Sequence, residues 1–156
     1  MRTKLVVFLA SLALFGVAAW AQAVPGAIAG RWRIVRILPT KNPACWDASQ
    51  ARTLVGTILH YEPQRLTWRG GSVPITDALT RNLSSRRFQD EYKVDPSALD
   101  LRTPFVQEID LQHEDADITG ATTEVPGDTV LVAGPGRIVV SACGVFYSAV
   151  RVTGAH

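Results

Sequence analysis

Three short apolar runs near the C-terminus restrict the fold most: "DTVLVA" (128–133), "RIVVSA" (137–142) and "VFYSAVRV" (145–152). Each is rich in β-branched residues, and only Gly134-Pro135-Gly136 and Cys143-Gly144 separate them. Runs of that length joined by tight turns make an antiparallel meander. The same signal recurs upstream. Residues 30–38 alternate imperfectly, with Trp32 and Ile34 on one face, and Pro39 stops the run. Residues 53–69 read as a hairpin with Gly56 marking a bend and 62–65 the turn, after a short helical turn within 47–54. In "FVQEIDLQH" (105–113), Phe105, Gln107, Ile109, Leu111 and His113 share one face, so one side is core and the other wet. Seven to nine strands are predicted, which makes the chain all-β, a barrel or a sandwich. The interruption is 76–101, a polar, charged segment predicted to hold a helix at 85–92, with Phe88 and Tyr92 one turn apart, and a second turn at 96–99.

The N-terminus is read separately. Arg2 and Lys4 precede an apolar run to Trp20, too short for a comfortable membrane span, which leads into Ala21-Gln22-Ala23. Residues 1–23 are therefore predicted to be a cleaved Sec-type signal peptide, and 24–156 one domain. No cysteine follows the expected cleavage site, so a free periplasmic or secreted protein is expected rather than a lipoprotein, without stable membrane insertion. The whole chain carries 16 basic and 14 acidic residues, but the leader holds two of the basic ones. The mature chain is thus balanced, which removes the electrostatic case for a nucleic-acid partner. Only Cys45 and Cys143 are present, and an oxidising compartment makes a disulfide the expected state.

A meander that closes on itself makes its first and last strands antiparallel neighbours. If Trp32 lies opposite Arg151, Leu38 falls opposite Val145, and both cysteines arrive at one rim, within bridging distance. The same pairing lays a guanidinium across an indole at the barrel bottom. Gly30-Arg31-Trp32 resembles the G-x-W motif that opens the first strand of lipocalins, and Arg151 resembles the arginine their last strand sets against that tryptophan. A lipocalin-like, or broader calycin-type, barrel with one or two short helices inserted mid-chain is the fold this implies. The T-D-Y triplet and the C-terminal helix of that family are absent, and 76–101 is longer than its usual hairpin loop.

Residues with catalytic potential are sparse. "HEDAD" (113–117) lacks the order of a calcium loop and reads as a solvated turn. There is no G-x-S-x-G elbow and no H-E-x-x-H, and His60 reads as a rim residue. "SSRRF" (84–88) is a capped helix start that could also receive an anion. The expectation is a non-catalytic protein without cofactor or metal. The resemblance implies a small apolar ligand, for which Trp68, Phe88, Tyr92, Phe105 and Tyr147 are the candidate lining residues, with Phe88 and Tyr92 over the opening. A periplasmic protein partner, met as an inhibitor or immunity protein would meet it, is the alternative.

Overall fold

The computed structural model describes residues 23–40, 44–102, 104–114, 117–118 and 124–154. Residues 1–22 of the expected leader, Asp115 and Ala116 of the acidic turn, and His156 lie outside the described residues. Nine strands are present: β1 (Gly30–Ile37), β2 (Ile58–Glu62), β3 (Arg65–Trp68), β4 (Gly71–Ser84), β5 (Phe105–His113), β6 (Asp117–Ile118), β7 (Thr129–Gly134), β8 (Arg137–Ala142) and β9 (Val145–Arg151). Two short helices, α1 (Ala48–Arg52) and α2 (Ser85–Tyr92), and a 3₁₀ turn (Pro96–Leu99) complete it. Each strand pairs antiparallel with its neighbours in the order β1-β2-β3-β4-β5-β7-β8-β9, and β9 returns to β1. The result is a closed eight-stranded barrel, with β6 a two-residue addition against the start of β4.

Two local details differ from the sequence reading. Trp32 does lie opposite Arg151, but the register shifts between Ile34 and Arg36. Val35 is the extra residue of a bulge, so Leu38 donates its N–H to the carbonyl of Phe146 at 2.8 Å rather than meeting Val145. The first nine residues of the segment read as polar caps, 76–84, belong instead to β4, the longest strand. Its exposed positions are polar apart from Pro74 and Leu79, and it is ordered by pairing with β5 from Ile75 opposite His113 to Ser84 opposite Phe105.

Alternation along the strands turns one set of side chains into the lumen, where Trp32, Ile34, Leu59, Tyr61, Leu66, Val73, Ile109, Val130, Ile138, Val140 and Tyr147 form one contiguous apolar cluster. Two tyrosines are buried in that cluster. The Tyr61 hydroxyl donates to the carbonyl of Gly127 at 2.8 Å, and the Tyr147 hydroxyl to that of Ala51 at 3.1 Å. Burial raises both phenols, Tyr147 to about 12, so both remain donors. Gly127 has φ +80°, and a Cβ there would meet the Tyr61 hydroxyl and come within 2.8 Å of Leu59. Gly127→Ala is expected to destabilise by about 2 to 4 kcal/mol, from left-handed strain and overpacking together, measured as a fall in the urea midpoint.

A second apolar cluster lies outside the barrel. Phe88, Val94, Leu99 and Leu101 pack on outward residues of five strands, namely Leu83, Val106, Leu131, Val139 and Phe146. The helix therefore clads the wall, and Phe88 and Tyr92 do not cover the opening expected of them. The reason is positional: Ser84 ends β4 and caps α2 by accepting from the Arg87 N–H, so the chain turns back over the sheet it has just left. The face of β5 expected to be wet is covered in the same way. Glu108 is only 2 % exposed, and it accepts from Tyr92 and, at 2.6 Å, from Arg81. Arg36 and Arg137 both hold Asp100, fixing the far end of the cladding.

Candidate functional site

The two ends of the barrel are covered by different pieces of chain. At the end where β1 starts, the turn before the strand folds inward and buries Val24 and Ile28. Trp32 Nε1 donates to the Ile28 carbonyl at 2.7 Å, and Arg151 lies 4.3 Å above the indole. Its guanidinium also donates to the carbonyls of Ala29 and Ala27, at 2.7 and 3.0 Å. At the opposite end, Trp46, Ala51 and Leu54 from the α1 region and Val125 before β7 join the interior cluster. The disulfide Cys45–Cys143 sits on that rim, with its Cα atoms 5.2 Å apart. Ala44 donates to the Cys143 carbonyl at 2.7 Å, and Cys143 donates to the Glu124 carboxylate at 2.8 Å.

The five aromatic candidates do not converge. Tyr147 is in the lumen and Trp68 is half-buried at its edge, whereas Phe88 and Tyr92 stack 4.7 Å apart in the outer cluster. Phe105, 62 % exposed, stands at the end of β5 beyond the packed interior. Among the described residues, two open grooves stand elsewhere. One, of about 330 Å³, lies on the outside of the first three strands between Arg31, Ile58, His60, Thr67 and Trp68. The other, of about 210 Å³, is a mainly apolar cleft beside α1, lined by Ile37, Leu38, Trp46, Ala51 and Val145 with Thr40, Asp47 and Arg52 at its margin.

The larger groove follows from strand parity. Trp32, Ile34, Leu59, Tyr61 and Leu66 face inward, so Arg31, Arg33, His60, Arg65 and Thr67 face out, with Arg31 opposite His60 and His60 opposite Thr67. Net charge is also unevenly divided along residues 24–156. Residues 24–74 hold seven basic and two acidic side chains, and 75–156 hold seven basic and twelve acidic. The neutral total conceals a basic face on β1–β3, which the alternation of arginines in "GRWRIVR" would have disclosed.

His113 lies elsewhere, its Nε2 3.6 Å from Asp128 Oδ2. Burial, and the nearby charge of Glu124, hold the Asp128 carboxyl above its ordinary range despite His113. A raised carboxyl binds its proton more tightly in the folded state, so its contribution to stability grows as pH falls through the folded pKa toward the unfolded one, and is lost as pH rises. Asp128→Asn is accordingly expected to be more stable than the parent at pH 7 and to lose that advantage toward pH 4, read by thermal melts across that interval.

Among the described residues, the one grouping at metal-ligand distance is Cys45, Glu124 and Cys143, and its two sulfurs are joined in the disulfide. No described helix is long and apolar enough to cross a membrane. The closed eight-stranded meander is consistent with a calycin-like barrel, and the disulfide fits an oxidising compartment. No family model matches the chain, and neither the curated proteins nor the solved structures contain a match to it.

Proposed function

We propose that the mature chain is an exported, non-catalytic, lipocalin-like barrel that acts by binding another protein on its outer surface. The carrying observation is that Tyr61 and Tyr147 are buried in the interior apolar cluster and hydrogen-bond there to the carbonyls of Gly127 and Ala51, so side chains occupy space a carrier would give to cargo. The basic exterior of β1–β3 supports an acidic protein surface as the partner, since Arg31, Arg33 and Arg65 are exposed around a preformed groove. Residues 1–23 would serve as the leader that delivers it.

Native mass spectrometry of the protein purified from an oxidising compartment tests this first. A bare mass for 24–156, lighter than the reduced chain by the two thiol hydrogens, is the expected result. A retained apolar molecule would overturn it in favour of the carrier reading, which one observation favours: the apolar cleft beside α1. Arg31→Glu combined with Arg33→Glu is expected to abolish cross-linking to the partner in the native compartment while leaving the melting temperature within a few degrees of the parent.

A further inference from the structure

The barrel is closed along only part of β4. Gly71 to Pro74 pair with β3, and the N–H of Ile75 donates to the Gln64 carbonyl at 2.9 Å as the last link to that hairpin. Beyond it, Thr76 is an extra residue in the register, and from Asp77 to Ser84 β4 pairs with β5 on one side, while among the described residues no strand lies on the other. The parity of the ladder identifies which groups face that open side. Leu111 donates to Asp128 beside β7, so Asp110, Glu108 and Val106 turn toward β4, where they pair with Leu79, Arg81 and Leu83. Ala78, Thr80 and Asn82 therefore direct their backbone N–H and C=O groups away from β5. The Ala78 N–H meets the carboxylate of the adjacent Asp77 at 2.8 Å. A row of such groups is a template for another strand.

We propose that this edge takes a second copy of the chain, β4 against β4, with the two-fold axis on Leu79. Antiparallel pairing about that residue sets Ala78 opposite Thr80 and Asp77 opposite Arg81, each twice per dimer, and Leu79 opposite itself. Asp77, Leu79 and Arg81 share the outer face of the strand, so the dimer gains two cross-strand ion pairs and buries a leucine that is 56 % exposed in the single chain. The groups needed are available. Arg81 uses Nε on Glu108 and NH2 on Glu91, while its NH1 makes only a 3.4 Å contact with Glu91. The Ala78 N–H exchanges its neighbour's carboxylate for the Thr80 carbonyl of the second copy, which frees Asp77 for Arg81. Moving the axis to Thr80 would instead set Asp77 opposite Leu83 and Leu79 opposite Arg81, so charge selects Leu79. The paired stretch then runs from 77 to 81 in both copies and stops short of the Gln64 link and the Ser84 cap.

Sedimentation velocity of the disulfide-intact protein over the micromolar range is expected to show a concentration-dependent dimer. Leu79→Arg, which brings like charges together on the axis, should leave only monomer with an unchanged melting temperature. Leu79→Cys supplies a second readout. Residues facing each other in a non-hydrogen-bonded antiparallel pair have Cα atoms about 4.5 Å apart, within disulfide range, so this variant should oxidise to a symmetric covalent dimer. Thr80→Cys, on the opposite face, should cross-link much less. A parent protein that stays monomeric throughout, a dimer indifferent to Leu79→Arg, or equal cross-linking at 79 and 80 would each overturn the proposal.

Discussion

Replacing Cys45 and Cys143 together by serine is expected to destabilise the protein by about 4 to 5 kcal/mol, the chain-entropy value for a bridge closing so long a loop. The two cysteines are separated by 98 residues, so the cross-link removes much of the freedom of the denatured chain. In the folded state it also ties the segment before α1 to the β8–β9 turn, where Ala44 and Glu124 both bond to Cys143. Without it, Trp46 and Ala51 are held over the rim by their apolar contacts and by the Tyr147 bond to the Ala51 carbonyl. A fall in melting temperature on the order of 15 °C should result, measured by calorimetry on the double variant against the oxidised parent. A shift of only a few degrees would mean that the α1 region is held by packing and that the reduced chain is already compact.

Trp32→Ala should cost a similar amount, about 3 to 5 kcal/mol for truncating a fully buried indole. Its effect would also be specific in place. The indole N–H holds the Ile28 carbonyl, and the ring forms the platform on which Arg151 rests while bonding to Ala27 and Ala29. The truncation therefore unfastens the N-terminal turn, and hydrogen exchange should speed up at 24–29 more than in β7 and β8. Trp32→Phe retains the ring but not the donor, and about 1 kcal/mol is expected from that loss. Equal protection changes at both ends of the barrel would contradict this account.

What the sequence disclosed tracks how each element is stabilised. β7–β9 read as near-continuous apolar runs because both of their faces are buried, β5 shows a period of two, and all four are bounded by turns or loops. The Trp32 and Arg151 pairing and the cysteine pair were legible because closure of a meander constrains both ends of the chain. The residues 76–84 were not. Their outer face carries Asp77 and Arg81, their inner face Thr80 and Asn82, and only a partner strand makes them β. The bulge at Val35 had no sequence mark, since a β-branched residue is ordinary on either side of a strand. The place of α2 was equally hidden: Phe88 is apolar whether it lines a mouth or clads a wall, and the choice depends on where β4 ends. Candidate site residues were named from aromaticity, a property that core and site share, whereas the basic exterior of β1–β3 lay in the charges between the core positions.

Closure of the ring between β1 and β9 sets the order in which the protein can be completed. Trp32 and Arg151 are neighbours in space but lie in the first and last strands, so the largest loop must close before either gains its contacts. Contacts of such high sequence separation place folding in the slow range of β-barrels, milliseconds to seconds. A chain emerging N-terminus first holds β1 with one edge bare until its last strand has appeared, and a truncation that removes β9 removes the strand, the arginine and the seal in one cut.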